Sequence, residues 1–496
     1  MRGDLYDYDA VADTIAVDDI TSCNYNAEIL RRLKDNDPNF THVRICGDRR
    51  GSGVNSYHIS YVLNLSPVQK KTKELCTSML EHGSCCFGDN CIYAHCCADQ
   101  YPKRELTCEL GWLGYFIGKN TALQKLSVVN LPKLTPSDDP YENDMATFLS
   151  GIGHNKSIQS VHLENIVMGN LCNVSPRENT LVLLDSFLDS NGNITELVLA
   201  DCFLGNGGCL LLSDALMSCA SELKSISLIW SDLGDGNAVD LIAALNMHPQ
   251  LEQITVDNTI RMGMKDIRAM ATLLQWTTTE LHTLHLKSAG IDDEGIAVLV
   301  PALINCVSIR NLDLSENPLI TTRGWWALSS SLESPRCILE ELHLTGCNVD
   351  DEALDIFADA LSDNCRLKSL TFNSNVITTE GWAAISQLLC DTSSINKTFS
   401  SNHTLQVLGF GLPNSASSHL ILNRNADKKL VAMTKILNNH RDFDMKPFFE
   451  WEFKVLPTIL HWLDMAAAHR VRSNANIEQR KLSAIYQYIR GTDVVH

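Results

Sequence analysis

Residues 281–289 read Leu-His-Thr-Leu-His-Leu-Lys-Ser-Ala, residues 309–317 read Ile-Arg-Asn-Leu-Asp-Leu-Ser-Glu-Asn, and residues 339–347 read Leu-Glu-Glu-Leu-His-Leu-Thr-Gly-Cys. One pattern, L-x-x-L-x-L with a small or polar residue three places further on, opens at Leu281, at Ile309 and again at Leu339. Outward from these copies the triplet recurs at Leu251/Ile254/Val256, Leu223/Ile226/Leu228, Ile194/Leu197/Leu199, Ile158/Val161/Leu163 and Leu123/Leu126/Val128. Towards the C-terminus it recurs at Leu367/Leu370/Phe372 and Leu405/Leu408/Phe410. The step is nearly constant from Ile194 to Leu367, which marks a repeat architecture. The last two apolar positions of each copy lie on one side of an extended chain, because strand side chains alternate. Further along each copy comes a stretch of helical period, as at Gly295–Leu303 and Glu352–Leu361. One strand and one helix cannot bury a two-sided core alone, whereas stacked copies can. The expected fold is therefore α/β: a horseshoe-shaped solenoid with strands inside and helices outside.

At the corner after each strand stand Cys202, Ser231, Thr259, Ala289, Asn317, Cys347 and Asn375. Each is small or able to bond backbone groups in a tight turn. Together these residues resemble leucine-rich repeats of the ribonuclease-inhibitor-like subtype, whose units have this length and carry a full α-helix. The resemblance covers residues 106–412 and implies that Cys202 and Cys347 are packing residues. Upstream, 1–60 reads as an N-terminal cap with a candidate first repeat, since Phe40/Val43/Ile45 follows the helix-like stretch 26–33. Downstream, 420–490 loses the period and reads as a helical cap. There Phe448, Phe449, Trp451, Phe453, Leu456, Ile459, Leu460, Trp462 and Leu463 form an apolar face suited to sealing the solenoid's end.

The next clear strand after the one at Phe40 starts only at Leu123, too far for a single repeat, so a segment is inserted between 60 and 106. Six of the 18 cysteines crowd into this segment, at 76, 85, 86, 91, 96 and 97. Cys76, Cys85, Cys91 and His95 are separated by eight, five and three residues. Zn²⁺ takes four N or S ligands tetrahedrally, and such short spacings let a chain too small for a core fold around the ion. Gly83 to His95 fits G-x-C-x-[FY]-G-x-x-C-x-[FY]-A-H. The region 66–100 thus resembles a CCCH zinc finger of the tristetraprolin-like type, C-x8-C-x5-C-x3-H. The resemblance implies zinc at Cys76, Cys85, Cys91 and His95, and single-stranded, often AU-rich RNA stacked on Phe87 and Tyr93; Lys71, which replaces the aromatic of the family's lead-in, and Lys73 are further candidate RNA contacts. Cys86 or Cys96 could replace a neighbouring ligand, and the roles of Cys86, Cys96 and Cys97 stay open.

This finger departs from the family. Cys86, Asp89 and Asn90 stand where basic residues are common, and the charges of 66–105 cancel. The finger is also single. The chain carries 59 acidic against 40 basic residues, a net charge of −19. From Arg424 onward there are 12 basic and 8 acidic residues, so the rest holds −23. A body that acidic repels phosphate, and phosphate contacts dominate nucleic-acid affinity. Two readings therefore stand side by side. One is an adaptor whose finger contacts RNA while the repeats bind protein; the other is a pure protein-interaction scaffold with a structural zinc finger.

Mean hydropathy is −0.06 and no apolar run approaches the roughly 20 residues of a bilayer span. No membrane role is expected. The acidic opening, MRGDLYDYDAVADTIAVDD, lacks the apolar stretch of a secretory signal. A cytoplasmic location is expected, with the nucleus open, and the cysteines are expected as thiols or metal ligands. The residue between the last two strand apolars points into the horseshoe: Ser127, His162, Val198, Ser227, Thr255, His285, Asp313, His343, Thr371 and Gly409. His285, Asp313 and His343 invite an acid–base reading. No nucleophile accompanies them and no nucleotide-binding or hydrolase motif occurs, so the column suits a protein partner and an enzyme is not expected.

Overall fold

The computed structural model describes residues 12–20, 24–47, 57–60, 106–129, 148, 151–165, 193–202, 204–218, 223–231, 233, 238–257, 262–275, 280–409 and 414–440. The zinc-finger region 66–100 and the aromatic face of the C-terminal cap lie outside the described residues. The chain divides into two compact units between Ile291 and Asp292.

The first unit carries α1 (Asn24–Lys34), β1 (His42–Gly47), β2 (Tyr57–Ser60), α2 (Leu106–Lys119), β3 (Lys125–Val129), β4 (Ser160–Glu164) and β5 (Glu196–Ala200). It continues with α3 (Gly205–Ser218), β6 (Ser225–Ile229), α4 (Ala238–Leu245), β7 (Gln253–Asp257), α5 (Met264–Gln275) and β8 (Thr283–His285). From β1 through β3 to β8 each strand is parallel to the next, in sequence order. β2 is the exception, running antiparallel along the far side of β1. Residues 61–105 thus leave from β2 and return into α2, and β1 pairs directly with β3 across that span.

Every apolar triplet of β3 to β8 is buried, and the side chains between them are half-buried, Thr255 alone being buried. Between the helices, glycines permit unusually close approach. A Cβ on Gly114 would strike the backbone of Phe148, and one on Gly118 would lie 2.5 Å from the carbonyl oxygen of Gly151. The sequence places α2 as a repeat's helix; its contact is backbone on backbone.

The second unit carries α6 (Asp293–Asn305), β9 (Asn311–Asp313), α7 (Thr322–Glu333), β10 (Glu341–His343), α8 (Asp351–Leu361), β11 (Ser369–Thr371), α9 (Thr379–Leu389), α10 (Ile395–Ser400), α11 (Asn414–Asn423) and α12 (Lys428–Asn439). β9, β10 and β11 are parallel and in register, Leu312 beside Leu342 beside Leu370. Beneath them Phe357 is fully buried, its ring 6.0 Å from Trp325 and 5.7 Å from Phe372. The last copy of the pattern does not make a strand. It contributes a single bridge, Ser369 to Val407, and Gly409 turns into the left-handed region at φ +80°.

Side chains also link one repeat to the next. Asp292 and Asp350 cap α6 and α8, accepting from the amides of Gly295 and Ala353. The residue after each cap clamps the following helix. Asp293 accepts from Thr321 N at 2.7 Å, Thr321 Oγ1 at 2.6 Å and Gly324 N at 3.0 Å, and Asp351 holds Thr378 in the same way. Burial acts against the Asp293 carboxylate, but these bonds prevail and its pKa lies below the ordinary value. Asp293→Ala is expected to cost the second unit about 1 kcal/mol, small because the site is solvent-screened, as a lowered urea midpoint with unchanged slope. Strand entry has its own tie. Asn120, Asn155, Asn364 and Asn402, each three residues before the first apolar position of a copy of the pattern, accept from the amide of that apolar residue and donate to a carbonyl of the preceding repeat.

Candidate functional site

The strand faces opposite the buried triplets are the candidate binding surface, one in each unit. In the first unit, register aligns Arg44, Ser127, His162, Val198, Ser227, Thr255 and His285 as one column across seven strands. Polar side chains tie its neighbours together. Ser160 Oγ donates to Glu196 at 2.6 Å, Arg44 lies 3.6 Å from Glu164, and Lys224 pairs with Glu252 at 3.0 Å. Burial holds the His162 imidazole below its ordinary pKa, against the pull of Glu164.

In the second unit, Asp313, His343 and Thr371 are aligned. Asp313 accepts from the amide of Ser315 at 2.8 Å, and His343 Nδ1 lies 3.0 Å from Thr371 Oγ1. Glu340 bridges Arg310 at 2.9 Å and Lys368 at 2.5 Å, and the Lys368 bond leads in holding its carboxyl below the usual range. His285 belongs to the first unit, where it is the register partner of Thr255. Of the three side chains of the acid–base reading, His343 pairs across strands with Thr371, Asp313 accepts from the amide of Ser315 just past its own strand, and His285 is the register neighbour of Thr255; cross-strand polar pairs such as the first stabilise sheets. Gly409 does not continue the column, since its backbone is not extended.

The described corner residues fall where the sequence puts them. Cys202 Sγ donates to the Ala200 carbonyl oxygen at 3.3 Å and Cys347 Sγ to that of Leu314 at 3.1 Å. Both are buried, and burial pushes the Cys347 thiol up to about 11, so it packs as a thiol. Cys76, Cys85, Cys91, His95, Phe87, Tyr93, Lys71 and Lys73 lie outside the described residues. Among the described residues no three His, Cys, Asp or Glu side chains group to hold a metal, and no helix is long and apolar enough to cross a membrane.

Sequence reasoning passes over Trp230. One residue before the corner position the backbone turns left-handed in repeat after repeat, at Asp201, Trp230, Ser288, Glu316, Gly346 and Ser374. Small, polar or flexible residues tolerate that conformation, whereas for a bulky side chain it is a genuine outlier. Trp230, at φ +52°, is 63% exposed. Backbone strain of this kind is concentrated at functional positions and tryptophan is enriched at interface hot spots, which makes Trp230 a candidate contact residue. The signal in the sequence was an aromatic at a place its sister repeats fill with Asp, Ser, Glu or Gly.

No family model matches the chain. Pig ribonuclease inhibitor is 28% identical over 189 residues, 37% of this chain and 41% of that protein. NACHT, LRR and PYD domains-containing protein 14 of mouse is 28% identical over 198 residues, 40% of this chain and 20% of the relative. In each case the match spans less than half of the relative's own length. Among solved structures, the Rad7 and Elc1 complex in yeast matches at 19% identity and a TM-score of 0.36, covering 61% of this chain and 73% of that one. The curated relatives, with the repeat pattern, support a leucine-rich-repeat protein of the ribonuclease-inhibitor-like type.

Proposed function

We propose that this leucine-rich-repeat chain is a protein-interaction scaffold, which binds its partner on the open strand faces and carries an inserted zinc finger. The observation that carries the reading is Trp230, an exposed and conformationally strained aromatic at the end of β6. Strain that survives in a fold calls for a compensating use, and partner contact is the use an exposed indole offers. The polar column, to which β6 contributes Ser227, supplies hydrogen-bonding groups already aligned by the sheet.

Trp230→Gly tests this directly. Glycine relieves the left-handed strain, so the variant is expected to be as stable as the parent or more stable by up to about 1 kcal/mol. Its captured partner is expected to fall at least tenfold in quantitative affinity purification. Trp326→Ala, an equally exposed tryptophan on helix α7, should leave capture unchanged. Equal loss from both variants, or from neither, removes the reading.

The finger rests on its donor set. Three thiolates and one imidazole at Cys76, Cys85, Cys91 and His95 suit a closed tetrahedral zinc site. Purified protein is expected to contain one zinc per chain by elemental analysis, and Cys85→Ser with Cys91→Ser to contain none. Phe87 and Tyr93, with Lys71 and Lys73, are the groups through which the finger would hold single-stranded RNA. Fluorescence anisotropy with an AU-rich oligonucleotide at low salt decides this arm. Binding weakened at least tenfold by Phe87→Ala and Tyr93→Ala supports the adaptor; parent and double variant binding alike leaves the protein scaffold with a structural finger.

A further inference from the structure

Helix α12 drives an ionisable side chain into the core of the second unit. Lys435 is fully buried. Its Nζ donates to the carbonyl oxygens of Leu389 at 2.6 Å and Asn402 at 3.0 Å, and lies 3.1 Å from Nδ1 of His403. The other nitrogen of that imidazole lies 3.0 Å from the carbonyl oxygen of Phe399, which can only accept. Nε2 therefore carries the proton and Nδ1 offers its lone pair to Lys435. A second proton on His403 would have to sit between the ring and the lysine nitrogen, replacing a hydrogen bond by a collision of donors. His419 of α11 is close enough to feel the Lys435 charge, and its Nδ1 is buried without a hydrogen-bond partner among the described residues.

The surroundings offer these protons little relief. The Cys390 thiol and Asp391 follow α9, Lys397 lies on α10, Lys428 begins α12, and His440 reaches Thr398 of α10 at 2.7 Å. Asp391 is engaged by the amide of Ser393 at 2.9 Å and by Gln387 at 3.3 Å. No carboxylate among the described residues pairs with Lys435. Burial first, and the lysine charge second, push His403 and His419 down from 6.5 to about 4, and burial pushes Lys435 down to about 7.

We propose that Lys435, His403 and His419 form a proton-operated latch, which holds α11 and α12 on the last repeat at neutral pH and releases them on acidification. The sign follows from linkage. With α11 and α12 detached, His419 on the segment and His403 on the last repeat take up protons near their ordinary pKa of 6.5, whereas docked they do so only near 4. The contribution of the two imidazoles is thus fully present above about pH 6.5 and is lost as pH falls towards 4. The gradient of Lys435 has the same sign but runs from its ordinary 10.5 down to about 7, so it is nearly complete at neutral pH and the imidazoles alone drive the change below it. Release uncovers an apolar surface that includes the buried Leu389, Leu405, Val431, Ile436 and Leu437.

Hydrogen–deuterium exchange of the full chain at about pH 7 and pH 4.5, with exchange times rescaled for the intrinsic chemistry, reads the latch out. Protection of α11 and α12 is expected to fall at least tenfold more than that of α8 in the same sample. The double variant His403→Gln, His419→Gln, which cannot take up these protons, should keep most of its protection at the lower pH. The proposal is overturned if α12 follows α8 within a factor of two in the parent, or if the double variant opens on acidification as the parent does. The parent measurement decides alone should the variant fold poorly.

Discussion

Phe357→Ala is expected to destabilise the second unit by about 3–5 kcal/mol, since truncating a buried phenylalanine loses its transfer energy and leaves a cavity. The ring has no exposed surface and is wedged between Trp325 of α7 and Phe372 at the end of β11. Aromatics from α7, α8 and the end of β11 therefore form one cluster, their rings tilted about 50° to one another, and removing the middle member leaves two rings with a gap between them. The fully buried Trp325 indole is the natural reporter. Its urea transition should move to a clearly lower midpoint with little change in slope. Phe357→Leu should recover much of the loss, because leucine refills part of the volume. A midpoint for the alanine variant equivalent to within about 1 kcal/mol of the parent would mean that the cluster carries no weight.

Gly118→Ala and Gly114→Ala should each cost the first unit about 3 kcal/mol, at the upper end of what overpacking produces. Added methyl groups usually push a flexible side chain aside. Here the obstacles are the carbonyl of Gly151 and the backbone of Phe148, so an entire helix must retreat. Separation would also strain Asn155, which donates to Ile117 O at 2.5 Å and Asn120 O at 2.7 Å from the same junction. Thermal unfolding followed by circular dichroism measures the effect, and unchanged melting temperatures would contradict the contact.

The repeating framework was legible because its cause is periodic. An apolar triplet returning at a nearly constant step fixes strand, face and register together, and the described strands follow that register from β3 onward. Features set by one residue's backbone or by a partner far along the chain were not legible. β2 runs antiparallel on an edge where only parallel neighbours were anticipated, and so short a strand carries too little pattern to announce a direction. Gly409 fits the apolar spacing of a strand, yet its positive φ removes it from one. The asparagines at strand entry read as ordinary loop polarity until their carbonyl partners, a whole repeat away, are known. Lys435 reads as the polar side of a C-terminal helix, although it is fully buried. At the candidate site the column of inward residues was readable from alternation alone, while Trp230 required the dihedral angle.

Gly409 has a consequence for how the molecule behaves among its own copies. A parallel array is an open template, and any chain with an extended segment can add to its last member. β11 meets the following segment at one bridge, and Gly409, two residues beyond it, has a left-handed backbone that no extended strand takes. Asn373 already fills the space where a side chain on Gly409 would stand. An edge interrupted in this way offers an incoming extended chain little ladder to extend, so end-to-end addition of a second copy at β11 is expected to be disfavoured.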